Sequence, residues 1–162
     1  MRITRSAPLP GGVEEAFAVI ATQEYQQAKV AAQAQRATAT VTEQTGGSVA
    51  VRSERHLPTE GMPGPVASMV GDTLTITEQQ TWRPAQADGS RHADLELTVS
   101  GAPLTLVGTI VLAPAGAGST LSIDADLRCS VPLFGKKIEE AARPAIEESI
   151  DHEVSQLTDR LA

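Results

Sequence analysis

Aromatic side chains are scarce: two Phe, one Trp and one Tyr make up 2% of the 162 residues. Any binding pocket in this chain is therefore expected to have aliphatic walls, without an aromatic stacking cage. Cysteine occurs once, as Cys129. No internal disulfide can form, and a single thiol in an alternating apolar segment reads as a small core residue rather than a nucleophile. No apolar run approaches the roughly 18 residues that a membrane-spanning helix needs. Met1 to Pro10 lacks the apolar block of a signal peptide, so a cytoplasmic protein without membrane insertion is expected. Basic side chains are also few, 13 against 20 acidic ones for a net charge of -7, and they are scattered along the chain. That balance repels phosphate backbones, and no nucleic-acid partner is expected.

What is present is ordinary for a soluble globular domain: 41% hydrophobic residues, 13 glycines and 20% charged residues. The length suits one domain over 1–162, with enough chain for one sizeable core. Arg2 to Ala7 alternates as a short strand and is closed by Pro8, Pro10, Gly11 and Gly12. Val13, Ala16, Phe17 and Ile20 then recur at helical spacing, with Glu14 and Glu15 in the first turn. Gln23 to Gln35 predicts a second helix, with Tyr25, Ala28 and Ala32 on one face.

From Arg36 the period changes to two. Ala37, Ala39 and Val41 alternate with Thr38, Thr40 and Thr42, and Gly46-Gly47 turns the chain into Ser48 to Leu57. Pro58 to Pro65 predicts a loop, and Val66 to Val70 a helical turn. Four further strands follow: Asp72 to Arg83, Arg91 to Val99, Leu104 to Leu112 and Thr120 to Val131. The turns between them lie at Asp88-Gly89, Gly101 to Pro103 and Pro114 to Ser119. Phe134 to Leu161 carries a helical stripe of Ile138, Ala142, Ala145, Ile146, Ile150, Val154, Leu157 and Leu161. Pro144 inside it removes a hydrogen bond and predicts a bend, while Gly135 predicts a sharp turn where the helix begins. Six hairpin-linked strands argue for an antiparallel sheet, and the long stripe must bury itself against that sheet.

Gly71-Asp72-Thr73-Leu74-Thr75-Ile76-Thr77-Glu78 with Trp82, followed by Ser130-Val131-Pro132-Leu133-Phe134-Gly135-Lys136-Lys137-Ile138-Glu139, resembles a START-like family of unknown function, in the SRPBCC superfamily, from high-GC bacteria. The resemblance implies an α+β helix-grip fold: a curved seven-stranded antiparallel sheet wrapped around a long C-terminal helix, with two short helices after the first strand. It also implies a pocket between sheet and helix. It assigns no reaction.

Several constellations are weak as chemistry. His56, His92 and His152 lie far apart without metal-ligand spacing, so no metal and no cofactor are expected. Pro114 to Ser119 holds a GxG between two strands and reads as a tight turn rather than a phosphate cradle. Glu139-Glu140 and Glu147-Glu148 diverge around one helix. No GxSxG presents a serine nucleophile. Glu78 is the informative acid: it shares strand parity with Leu74, Ile76 and Trp82, so if those three face the concave side Glu78 and Gln80 do too, whereas a one-residue bulge would send Glu78 to solvent. A carboxylate on the concave side needs a partner, and Arg55, in parity with Val49 and Val51, is the candidate. Two readings stand: a structural Arg-Glu pair, or a polar group that orients a ligand.

The expected ligand-binding set is Val51, Arg55, Leu74, Ile76, Glu78, Trp82, Leu97, Leu106, Ile123, Ile138 and Ile146. The expected partner is a small, largely apolar molecule, lipid-like or polyketide-like, held without catalysis. A cyclase- or dehydratase-like enzyme with Glu78 moving protons is the second expectation, and a protein-interaction domain with a filled core the third.

Overall fold

The computed structural model describes residues 1–62 and 64–162. In chain order the elements are β1 (Arg2–Leu9), α1 (Val13–Ile20), α2 (Gln23–Ala31), β2 (Arg36–Glu43), β3 (Val49–Pro58), α3 (Gly64–Val70), β4 (Thr73–Trp82), β5 (Arg91–Val99), β6 (Leu104–Ala115), β7 (Gly118–Cys129) and α4 (Gly135–Leu161). The strands form one antiparallel sheet in the order β1-β7-β6-β5-β4-β3-β2. The sheet curves, and α4 lies in its concavity, packed against β1, β7 and α1, while α2 lies over β2 and β3.

Alternation sets which side chains enter the concave side, and the registers align them in rungs. Ser53, Glu78, Leu97, Leu106 and Leu127 form one rung across β3 to β7. Val51, Gln80, Leu95, Gly108, Ala125 and Ile3 form the next, and Val49, Trp82, Ala93, Ile110 and Ile123 the one beyond. The last of these closes the core, where Trp82 meets Phe17 of α1 with ring centroids 5.6 Å apart. The core is thus densest at the α1 end of the sheet.

Several boundaries move, each for a local reason. β1 runs through Pro8 because it is an edge strand, where a missing N–H costs no ladder bond. β6 runs through Pro114 because its pairing with β5 stops at Leu112. The expected GxG turn shrinks to Gly116-Ala117, between strands ending at Ala115 and starting at Gly118. The expected loop after β3 includes Pro63, which lies outside the described residues; α3 begins directly after it. α4 continues across Pro144, whose ring and the Glu140 carbonyl it leaves unpaired both sit on exposed positions.

The tight bend before α4 is made by Leu133, a bulky residue at φ 69°, and not by Gly135. Gly135 serves a different need: a Cβ there would stand 2.4 Å from the Cys129 carbonyl oxygen, so only glycine lets the helix start this close to the end of β7.

α2 buries Tyr25, Gln26, Lys29 and Val30, not the expected face of Tyr25, Ala28 and Ala32. Its glutamines explain the difference. β2 is a sheet edge with unpaired backbone groups. Gln27 donates to the Ala37 carbonyl at 2.9 Å and accepts from the Ala39 N–H at 2.9 Å. One turn earlier, Gln23 donates to the Ala39 carbonyl at 2.5 Å and accepts from the Val41 N–H at 3.0 Å. A side-chain amide offers the same donor and acceptor as a peptide. The two glutamines therefore continue the ladder where another strand would have stood.

Candidate ligand cavity

Because α4 leans toward β1 and β7, it leaves space over the middle of the sheet. A cavity of about 770 Å³ lies there. Its floor is Leu57, Leu74 and Ile76 from β3 and β4, then Leu95, Leu97 and Val99 from β5, with Leu104, Leu106, Ile110 and Ile123 beyond. α4 supplies Ala142, Ile146 and Ile150 as the opposite wall, and its exposed Ala141, Ala145, Glu148 and His152 border the opening. Ala32, Gln33 and Met62 complete the lining. The small side chains of α4 are what keep the space open.

Eight residues of the expected set border the cavity: Arg55, Leu74, Ile76, Glu78, Leu97, Leu106, Ile123 and Ile146. Three do not. Trp82 is 1% exposed against Phe17 and does not border the cavity, although Ile110 and Ile123 further across the same rung do. Val51 is buried where α2 covers β3. Ile138 is buried in the first turn of α4, which is held close to the end of β7 before the helix reaches the open space.

At the α2 side the apolar wall is interrupted by a connected polar group. The Trp82 indole N–H donates to Gln80 Oε1 at 3.0 Å, and Gln80 Nε2 donates to Glu78 Oε1 at 2.7 Å. Arg55 Nη2 donates to Glu78 Oε2 at 2.9 Å, and Arg55 Nη1 donates to Gln33 Oε1. Lys29, 2% exposed, puts its ammonium 3.9 Å from Glu78 Oε1 and 3.3 Å from Glu153 Oε1 of α4. The Tyr25 hydroxyl donates to the Glu153 carbonyl at 3.5 Å. α2, β3, β4 and α4 are thus joined through two cations and two carboxylates.

These pairings fix the charges. Burial alone would raise the Glu78 carboxyl, but Lys29, Arg55 and the hydrogen bonds from Gln80 and Arg55 outweigh it and hold the group below the usual carboxylate range. Burial likewise pulls Lys29 down, yet Glu153 and Glu78 leave its ammonium above its ordinary value. Burial and the neighbouring Glu153 push the Tyr25 hydroxyl far up. Glu78 is an ionised acceptor near neutral pH, not a proton donor. Arg55 Nε is buried with no hydrogen-bond partner among the described residues.

Lys29 and Gln33 were not among the expected site residues. A partial signal existed: Tyr25, Lys29 and Gln33 recur at four-residue spacing, but a Lys on a polar helix ordinarily reads as solvated.

A sheet gripping a long helix over an unfilled space defines a START-like, helix-grip domain. Solved structures share this architecture at low identity. The chain is similar to TTHA0849 from Thermus thermophilus (13% identity, TM-score 0.63, covering 99% of this chain and 97% of that one). It is similar to a STAR-related lipid transfer protein from Xanthomonas axonopodis (13%, 0.61, 99% and 85%). The Zhui aromatase/cyclase from a Streptomyces species also aligns (12%, 0.62, 99% and 93%). At these identities the likeness is one of fold. Residues 4–161 match the family described as proteins of unknown function, DUF2505, and the chain belongs to that family. No curated protein matches it in sequence. Among the described residues no helix is long and apolar enough to cross a membrane.

Proposed function

We propose that this protein binds a small, largely apolar molecule, without transforming it, in the cavity between the sheet and α4. One observation carries the reading: about 770 Å³ of space, walled mostly by aliphatic side chains, lies beside a polar group whose charges are already paired. Ligand cavities of about 300–1,000 Å³ combine such walls with a few polar groups that orient the guest. The lipid-transfer and cyclase proteins that share the fold lend it general support. A cyclase-like reaction would need a titratable group poised near the working pH. Glu78, lowered by Lys29 and Arg55, is poorly suited to that role.

The test uses the intact protein. Native mass spectrometry of material purified from its own host is expected to show an added small mass that is lost on denaturation. Titration with the uncharged dye Nile red is expected to give saturable binding at one site, with a change in Trp82 emission through the Gln80–Glu78 contacts. Ala142→Phe, which fills the space from the α4 side, is expected to weaken dye binding at least tenfold while the far-UV circular dichroism stays the same. Unaltered binding in that variant would place the dye elsewhere and sink the reading.

A further inference from the structure

The charged groups of the cavity carry a restriction on its guest. Four carboxylates border the space, Glu78, Glu148, Asp151 and Glu153, against one lining cation, Arg55. The cations behind the wall are already occupied: Lys29 by Glu78 and Glu153, and Arg5 by Glu147 at 3.4 Å and Asp151 at 3.2 Å. Glu148 forms no ion pair among the described residues and stands exposed at the mouth, with His152 one turn further along α4.

The charged donor of the lining is engaged in the same way. Arg55 gives Nη1 to Gln33 and Nη2 to Glu78, and its Nε is enclosed where a guest cannot reach it. Gln80 Nε2 gives one N–H to Glu78, and its second N–H and the Gln33 amide remain as neutral donors that bring no positive charge to a guest. A guest carboxylate would enter past Glu148 and come to rest beside Glu78 with no free cation to meet it, in a setting where like charges repel far more than in water. A hydroxyl, amide N–H or ammonium would instead find carboxylate lone pairs still able to accept, because one carboxylate offers about four acceptor sites.

From this arrangement, and resting on the binding function proposed above, we infer that the cavity selects uncharged or cationic amphiphiles whose head group donates a hydrogen bond to Glu78, and rejects fatty-acid-like anions. The ligand class is thus a long-chain alcohol, amide or amine rather than a carboxylate.

Three ten-carbon probes with matched tails test this: decanol, decylamine and decanoate, each competing with Nile red on the intact protein at pH 7 below its micelle concentration. Decanol and decylamine are expected to displace the dye, and decanoate to need a concentration higher by about tenfold or more. The gap is expected to narrow in Glu148→Gln and in 1 M salt, where the screening length falls to about 3 Å. Decanoate competing as well as decanol would overturn the selectivity alone. A gap that stays the same in both Glu148→Gln and high salt would overturn its electrostatic origin. Failure of all three to compete would overturn the cavity as the binding site, and the head-group rule with it.

Discussion

Lys29→Met tests whether the buried ammonium holds α2, β4 and α4 together. The variant keeps the length of the side chain and removes its charge, so the carboxylates of Glu78 and Glu153 lose a shared partner at 3.9 and 3.3 Å. Removing one member of a buried ion pair costs about 3–5 kcal/mol. Glu78 keeps Arg55 and Gln80, and the Glu153 side chain, 17% exposed, can turn partly toward water. A loss of about 2–3 kcal/mol is therefore expected at pH 7. At about 2–4 °C per kcal/mol for a chain of this size, the midpoint temperature should fall by about 4–12 °C.

The pH dependence has a definite sign. Because the folded Glu78 carboxyl lies below its unfolded value of 4.5, its stabilising contribution is present above 4.5 and is lost as pH falls through the folded value. Removing Lys29 takes away part of that gain, so the deficit of the variant should shrink as pH is lowered from 4.5. Urea unfolding at pH 7 and at several values below 4.5 measures both quantities, and Lys29→Met/Glu153→Gln should recover part of the loss. A deficit under about 1 kcal/mol at pH 7, or one that is the same in acid, would refute the account.

Other consequences can be read in the same way. Gln23→Ala/Gln27→Ala removes four side-chain bonds to β2 and should cost about 2–4 kcal/mol; size-exclusion chromatography should also show concentration-dependent self-association through the bared edge. Gly135→Ala, which in an ordinary helix would stabilise by up to about 1 kcal/mol, should destabilise by about 1–3 kcal/mol because its methyl meets the Cys129 carbonyl. A rise in melting temperature would contradict that close approach. Leu133→Gly should raise stability by about 1 kcal/mol in a denaturant titration, since it relieves a left-handed backbone at a side chain that is 95% exposed.

Strand parity was the most legible part of the site. The alternation in β4 put Leu74, Ile76, Glu78 and Gln80 on one face, and the register with β3 brought Arg55 to the rung beside Glu78. Parity gives the side of the sheet but not the depth along it, which is why Trp82 and Val51 share that face and still lie in the core. Helix burial was less legible. Periodicity in α2 looks for apolar side chains, whereas this helix buries an amide and an ammonium because its surroundings supply backbone carbonyls and carboxylates. The clash of a Cβ at Gly135 with a distant strand has no local sequence signature, and neither does the empty space left by the direction of α4.

The glutamines of α2 also decide by which route a guest can pass. Swinging α2 away from the sheet would unzip both side-chain amides from β2, extract Lys29 from its two carboxylates and release Arg160 of α4 from Glu24 at 2.7 Å. That is a seam sewn along its whole length, so α2 is a fixed jamb and not a door. Traffic is expected along α4 instead, where the exposed Ala141 and Ala145 border the cavity and carry no polar group to bond across it. Changes in exchange rate should therefore map to that stretch, while changes on α2 should appear as lost stability.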